Sequence, residues 1–381
     1  MDYAVLVSGG VDSAVALHTL VARGEGTVRA YYLKIWLEDE LAFLGQCPWE
    51  EDLGYARDVC AAAGVPLEVV PLQQEYYDRV VSYTLAELRA GRTPSPDIFC
   101  NQRIKFGAFF DAIGGSADRI VTGHYARILR GNGDDVRLAR APDPVKDQTY
   151  FLSHLTQEQL RRAEFPIGTM TKEAVRRRAA ELELSNRDRP DSQGICFLGR
   201  IRYPDFVRHY LGEQEGLILE TGSGRELGRH SGAWFYTIGQ RQGLGLGNGP
   251  WYVVSRNIET NIVEVAHGEA VADRARSRFR VGGVHWISAP PKDLGAAGVS
   301  HLTLKLRHGP DLVACTIVPG GGTPGDGGRP STDFDELTVT MERPDRGVAP
   351  GQFAVFYDDE VCLGAGMILP DLLPEEESRD E

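Results

Sequence analysis

The chain has 381 residues, of which 25% are charged and 42% hydrophobic, and carries a formal net charge of −13. That length accommodates two or three domains with real cores, and the composition is that of an ordinary globular protein rather than a disordered or fibrous one. The acidic excess argues against a general nucleic-acid coat. No basic leader, Arg-rich transit stretch or long apolar span marks a membrane or export route. The expected location is therefore cytoplasmic, or an organelle matrix or stroma if a presequence has been removed.

Tyr3 to Val7 is a short apolar run rich in β-formers and reads as a buried strand. Ser8-Gly9-Gly10 is a turn. From Val11, apolar residues at 11, 15, 17, 20 and 21 recur at helical spacing, with Asp12 and Ser13 in the first turn. Strand, glycine turn and helix together present backbone N–H groups and a positive helix end to a phosphate. No P-loop lysine follows, and the pattern is not GxGxxG. Val28–Trp36, Leu67–Leu72 and Ile120–Thr122 read as further strands, alternating with helices at 55–63 and 76–88. Such alternation predicts a parallel sheet wound by helices on both faces, with ligands at the carboxyl ends of its strands. The SGGVDS turn, Leu33 and Gly123 all fall at such ends.

Thr93-Pro94-Ser95-Pro96-Asp97 reads as an extended connection, because two prolines spaced by one residue oppose helix. A helix is expected from about Gln102, which places Asp97 and Cys100 at its entrance, where a thiol's pKa is lowered with help from Arg103 and Lys105. Lys146-Asp147-Gln148 opens an apolar run, with Asp147 as a candidate helix cap. Residues 161–209 hold eleven Lys/Arg against seven Asp/Glu, a local basic excess that suits a structured RNA, or simply a solvated helix face. Cys196 follows in a short apolar run between Gly194 and Gly199.

Composition shifts after about residue 205. Short β runs at 217–221, 234–238, 251–256 and 262–267 are separated by glycine-rich turns, and the glycines of 237–247 are more simply turns than a phosphate cradle. A second β-rich stretch, 279–368, suggests a small barrel, interrupted by a flexible loop at 319–333 and followed by an acidic tail expected to be disordered. The expected division is an α/β domain at 1–204, a small central domain at 205–274, a barrel at 275–370 and a tail at 371–381. The six cysteines, at 47, 60, 100, 196, 315 and 362, include no CxxC pair, so neither a disulfide framework nor a zinc site is expected.

SGGVDS resembles the PP-loop of ATP pyrophosphatases, which cut ATP between its α and β phosphates. Together with GRTPSPDIFCN, TGHYAR, KDQTYFL, GICFLG, HSGAWFYTIGQRQGLGLG and PGQFAVFYDDEVCLGAG, in that order over residues 4–366, it resembles the tRNA-specific 2-thiouridylase (MnmA) family. The resemblance implies an α/β fold: a parallel, doubly wound PP-loop domain, a small central domain and a C-terminal β-barrel. It implies ATP with Mg²⁺ adenylating the C2 oxygen of a wobble uridine. A persulfide then replaces that oxygen, giving 2-thiouridine, AMP and pyrophosphate.

Carried over residue by residue, the resemblance assigns ATP to Leu6, Val7, Ser8, Gly9, Gly10, Val11, Asp12 and Ser13, with Leu33 and Gly123 against the adenosine. Cys100 would be the nucleophile and Cys196 the persulfide carrier, able to pair with Cys100 as a disulfide. Asp97 would contact the target base and assist proton transfer. Ser95 would also touch the base; Pro96, His124, Lys146, Asp147, Gln148, Arg307, His308 and Gln352 would touch the tRNA. Leu33, Ser95 and His308 stand where the family usually has Met, Asn and Tyr. Implied partners are a tRNA of the Lys, Glu or Gln class and a persulfide donor protein, with no membrane. Two other readings keep the loop. A small-molecule ligase or amidotransferase needs neither cysteine, and an RNA-binding protein with a relic nucleotide pocket binds tRNA regardless of ATP.

Overall fold

The computed structural model describes residues 1–35, 49–131, 135–191, 202–268, 270–320 and 335–370. Trp36, Cys47, Cys196, most of the 319–333 loop and the acidic tail lie outside them.

The chain begins with β1 (Asp2–Leu6), followed by α1 (Val11–Arg23), β2 (Thr27–Lys34), β3 (Leu67–Pro71) and β4 (Arg119–Val121). A hairpin, β5 (Ala126–Arg130) and β6 (Val136–Arg140), precedes the short β7 (Ala163–Glu164). Five strands form one parallel sheet in the order β3-β2-β1-β4-β7. Both faces are covered, as β1 shows by alternation. Tyr3, Val5 and Val7 enter one core with Val15 and Leu17 of α1, Val59, and Val175. Ala4 and Leu6 enter the other, with Val80, Ile104 and Phe109. Burial of alternate residues on opposite faces is what a two-sided parallel sheet requires. Strand order reverses at β1, so the crevice for a ligand opens beyond Leu6, where the SGGVDS turn lies.

The central unit is a four-stranded sheet in the order β10-β11-β8-β9, formed by β8 (Gly216–Glu220), β9 (Glu226–His230), β10 (Trp251–Asn257) and β11 (Ile262–His267). The expected strand at 234–238 is instead a 3₁₀ turn, Ala233–Phe235, entered through Gly232 at φ 149°. A Cβ on that glycine would lie 2.6 Å from the Trp234 ring. The backbone therefore bends at Gly232 where a strand would have to run straight.

The last unit comprises β12 (Arg276–Trp286), β13 (Ser300–Lys305), β14 (Val313–Pro319), β15 (Glu336–Asp345), β16 (Phe353–Asp358) and β17 (Val361–Ile368). Pairing of β12 with both β15 and β17 closes these six into an antiparallel barrel. The hairpin β5–β6 joins it, with Leu138 and Ala139 opposite Cys362 and Val361. The first unit thus lends two strands to the sheet of the last, and Phe353, Val355 and Tyr357 share a core with Phe99, Cys100 and Leu152. No helix among the described residues is long and apolar enough to cross a membrane.

Candidate active site

Ser8 and Ser13 hold the glycine turn from inside. The Ser8 backbone N–H donates to Ser13 Oγ at 3.2 Å, and Ser13 Oγ donates to the Gly10 carbonyl at 3.0 Å. Gly9 has φ 77°, and a Cβ there would fall 2.3 Å from the Asp52 carbonyl oxygen, so glycine is required twice over. Outside the loop, Asn186 Nδ2 and Arg189 Nη1 donate to the Gly9 carbonyl at 2.9 and 3.1 Å, and Arg189 also pairs with Asp52. Gly123, just beyond β4, lies against the start of α1: a Cβ on it would be 2.6 Å from the Ser13 nitrogen. Leu33, near the end of β2, the strand paired with β1, is half-buried and packs against the core that contains Leu6.

A charged cluster stands next to this loop. Asp12 Oδ1 accepts from Tyr125 Oη at 2.8 Å and from Lys172 Nζ at 2.7 Å. Lys172 Nζ also lies 2.7 Å from Asp191 Oδ1, while Lys146 Nζ donates to Asp191 Oδ2 and Arg176 Nη2 to Oδ1, each at 2.6 Å. Burial pushes the Asp191 carboxyl up, but the hydrogen bonds from Lys146 and Lys172 outweigh it and hold the pKa at about 2. Thus part of the basic excess at 161–209 faces the loop. Much of the remainder is spent in surface pairs such as Arg177–Glu173, Arg178–Glu181 and Arg202–Asp205. Lys146, expected at the RNA, is a member of the loop cluster.

The proline segment differs from expectation. Helix begins at Pro96, six residues before Gln102, and continues to Ala112 with Cys100–Ala108 wound as a π-helix. Pro96 is the first helical residue, where proline's fixed φ and missing N–H suit a helix rather than break it. Cys100 therefore lies a turn inside the helix, with its N–H bonded to the Asp97 and Pro96 carbonyls, and is 1% exposed. Arg103 stacks on the Phe99 ring at 3.8 Å and donates to the Arg79 carbonyl. Asn101 Nδ2 ties the Asp97 carbonyl to that of Phe151, at 3.1 Å each. Asp97 is half-buried, and the Ser95 N–H donates to Tyr83 Oη at 3.3 Å.

Barrel residues converge on the same segment. Exposed His308 stacks on Phe151, with ring centroids 4.9 Å apart, and neighbouring Arg307 pairs with Asp345. Next to Gln352, the Pro350 carbonyl accepts from the Thr93 N–H at 2.7 Å, and Gly351 packs against Arg92 and Thr93. Arg256, from the central unit, reaches Thr93 Oγ1 at 3.2 Å. The segment carrying Asp97 and Cys100 is thus held by all three units.

Two of the residues expected at the RNA are buried. Asp147 stands one residue before the N-cap Gln148, and its carboxylate accepts from the Thr149 N–H at 3.4 Å as the cap reading expects. It also accepts from Lys305 Nζ and Thr149 Oγ1, however, and its side chain has no solvent exposure. Its neighbour Gln148 accepts from the Tyr125 N–H at 3.0 Å. His124 lies between Phe106 and Phe165, hydrogen-bonded to Thr122 Oγ1 at 2.7 Å. Burial, assisted by Lys105, holds His124 well below the ordinary imidazole pKa, so the ring is neutral at pH 7. Sequence reasoning missed Tyr125, Lys172, Asn186 and Asp191. Tyr125 lies in TGHYAR and the other three in the 161–209 stretch, but their convergence on the loop depends on tertiary folding.

Of the remaining described thiols, burial raises Cys60 to about 11 and Cys315 to about 12, and raises Cys362 further. Such thiols are poor nucleophiles. No group of three or more His, Cys, Asp or Glu able to hold a metal occurs among the described residues.

Residues 1–200 match the family described as the tRNA methyl transferase HUP domain, 204–267 the tRNA methyl transferase PRC-barrel domain, and 276–368 the aminomethyltransferase beta-barrel domain. Over 371 residues the chain is 41% identical to tRNA-specific 2-thiouridylase MnmA 1 of Bacteroides thetaiotaomicron, covering 97% of this chain and 99% of that one. It is also 41% identical to MnmA 2 of Bacteroides fragilis, over 97% and 100% of the two chains, and to MnmA of Porphyromonas gingivalis, over 97% and 99%. With the glycine loop and the proline–cysteine helix in the expected units, and relatives matched end to end, the chain belongs to the tRNA-specific 2-thiouridylase MnmA family.

Proposed function

We propose that this protein is a tRNA 2-thiouridylase that adenylates the C2 oxygen of wobble uridine and replaces it with sulfur. The observation that carries the reading is that the glycine loop and the Cys100 helix cover the two faces of one sheet, while barrel and central units both grip the segment leading to Cys100. The loop and the segment that leads to the buried Cys100 thus belong to one frame. The methyltransferase wording of two matched families describes a different chemistry, for which neither the loop nor the Cys100 and Cys196 motifs is needed.

The chemistry follows from leaving groups. A carbonyl oxygen of uracil leaves poorly, whereas AMP leaves well. Attack of the C2 oxygen on the α-phosphorus expels pyrophosphate and forms the adenylate. The terminal sulfur of a Cys196 persulfide, received from a donor protein, attacks C2, and AMP departs with the former oxygen. The Cys100 thiolate attacks Cys196 Sγ, breaking its S–S bond and closing a Cys100–Cys196 disulfide. The sulfur released is 2-thiouridine when it is already bonded to C2, or sulfide that then attacks C2. An external thiol must reduce the disulfide before the next turnover. Asp97, a turn before Cys100 on the same helix, is placed to handle a proton at the base. Residues 6–13 bind the phosphates, and Leu33 and Gly123 border the adenosine.

Mg²⁺ neutralises the phosphate oxygens when bound. It characteristically takes one or two carboxylates together with substrate phosphates, not an all-protein cage. The residues fit that demand: Asp12 is at the loop, and Asn186 Oδ1, buried beside Gly9, has no hydrogen-bond partner among the described residues and can accept from a water of a hydrated cation. For the RNA, exposed Arg307 and His308, with Gln352, Ser95 and Pro96, form the contact near Asp97. We assign the substrates to tRNAs of the Lys, Glu and Gln class and the protein to the cytoplasm, with its sulfur supplied by a persulfide-bearing protein. Incubation with unmodified tRNA, ATP, Mg²⁺ and a persulfide source, followed by nucleoside mass analysis, tests the proposal. It predicts 2-thiouridine formed only with ATP; methylated uridine, or no modified nucleoside, contradicts it.

A further inference from the structure

We propose that Lys172 is the cation that binds the pyrophosphate side of ATP, the lysine that the glycine loop itself lacks. The inference rests on the nucleotide reading of that loop and assigns it a residue 160 positions away in sequence.

Three observations converge. First, Lys172 Nζ bridges Asp12 of the loop and Asp191, at 2.7 Å to each, so its charge already stands at the mouth of α1. Second, Lys172 is the first residue of the helix Lys172–Glu181, capped by Thr171. A cation there opposes the helix dipole, which favours anions at that end. The helix dipole therefore does not account for a lysine at this position, whereas a neighbouring anion does. Third, Asp191 keeps two other cations, Lys146 and Arg176, at 2.6 Å, and so does not depend on Lys172 for neutralisation. Lys172 can turn from the two carboxylates to a polyphosphate without leaving Asp191 bare.

The charge balance fits such an exchange. Lys146, Lys172 and Arg176 face Asp12, Asp191 and Asp143, three positive charges against three, with Asp143 accepting from the Lys172 and Lys146 N–H groups. A triphosphate brings several negative charges to the helix end, and Asp12 would repel them while uncompensated. Transfer of Lys172 to the β- or γ-phosphate oxygens supplies the missing positive charge and frees Asp12 for the hydrated Mg²⁺. AMP has no β- or γ-phosphate for Lys172 to hold.

The test compares binding of ATP, inorganic pyrophosphate and AMP to the full-length wild type, Lys172→Met and Lys172→Arg by calorimetry. Lys172→Met is expected to weaken ATP and pyrophosphate by roughly tenfold or more while changing AMP little, with partial recovery in Lys172→Arg. Equal losses for ATP and AMP, or no loss for either, overturn the proposal. A second measurement needs no variant. Acylation of Lys172 in the wild type, read by peptide mass analysis, should be slowed by ATP and by pyrophosphate but not by AMP; equal labelling under all three conditions overturns it. Failure of the wild type to bind ATP at all would instead refute the nucleotide reading on which this one stands.

Discussion

Lys305 Nζ lies 2.7 Å from Asp147 Oδ2, and neither side chain has any exposure to solvent. The pair spans two units: Lys305 ends β13 of the barrel, and Asp147 precedes the short helix Thr149–Leu152 of the first unit. Thr149 Oγ1 and Arg140 complete the shell around the carboxylate, and Tyr150 Oη donates to the Leu306 and Phe353 carbonyls nearby. Ions this deep carry a large desolvation cost that the partner offsets. The pair also ties the barrel to the first unit close to the exposed residues 307–308.

Removing one partner leaves a bare buried charge. Lys305→Met is expected to lower unfolding stability by about 3–5 kcal/mol, whereas the double variant Lys305→Met with Asp147→Leu should recover much of that loss. Chemical denaturation reads both. A double variant as unstable as the single one would show that the charges do more than neutralise each other.

Gly123 tests the nucleotide crevice. Its Cβ would lie 2.6 Å from the Ser13 nitrogen and 2.7 Å from the Asp12 carbonyl carbon, both backbone atoms. Gly123→Ala is therefore expected to shift the start of α1, costing about 1–3 kcal/mol of stability and at least as much in ATP affinity. Calorimetric titration with ATP checks it. Asp12→Ala and Ser13→Ala should weaken adenylation, read as AMP release, without unfolding the chain.

His154 makes stability depend on pH. Burial, followed by the charges of His285 and Arg103, lowers it from 6.5 to about 3. Its ring is stacked on His285 and edge-on to Phe99 and Phe353. Because the folded pKa is depressed, the unfolded chain binds the extra proton. Stability is fully present above pH 6.5 and falls as pH drops from there toward 3, with a slope approaching about 1.4 kcal/mol per unit. Melting curves between pH 7.5 and pH 4.5, a range of about three units, should show this loss, and His154→Gln should flatten it. An unchanged slope in the variant would assign the loss to other groups.

What could be read in advance was local. Strand, turn and helix around Ser8–Ser13 follow from contiguous residues, and so does the alternation that makes the sheet. The pairing of Asp147 with Lys305 joins residues 158 positions apart, so Asp147 looked like a cap for its own helix. The hairpin β5–β6 escaped notice because its partner, β17, lies more than two hundred residues later. Pro96 looked like a barrier because its effect on the preceding residue was weighed and its fitness for a first helical turn was not. The charges of Lys172 and Asp191 were counted in a basic stretch, but only folding turns them toward Asp12. Cys196, expected from its motif, lies outside the described residues.

The central claim is sulfur transfer through Cys196 and Cys100. The most direct measurement is nucleoside mass analysis of unmodified tRNA treated with ATP, Mg²⁺ and a persulfide source, using the wild type, Cys196→Ser and Cys100→Ser. Wild type should give 2-thiouridine; Cys196→Ser should still bind ATP and tRNA yet give none, and Cys100→Ser should fail likewise. Undiminished 2-thiouridine from Cys196→Ser would contradict the account.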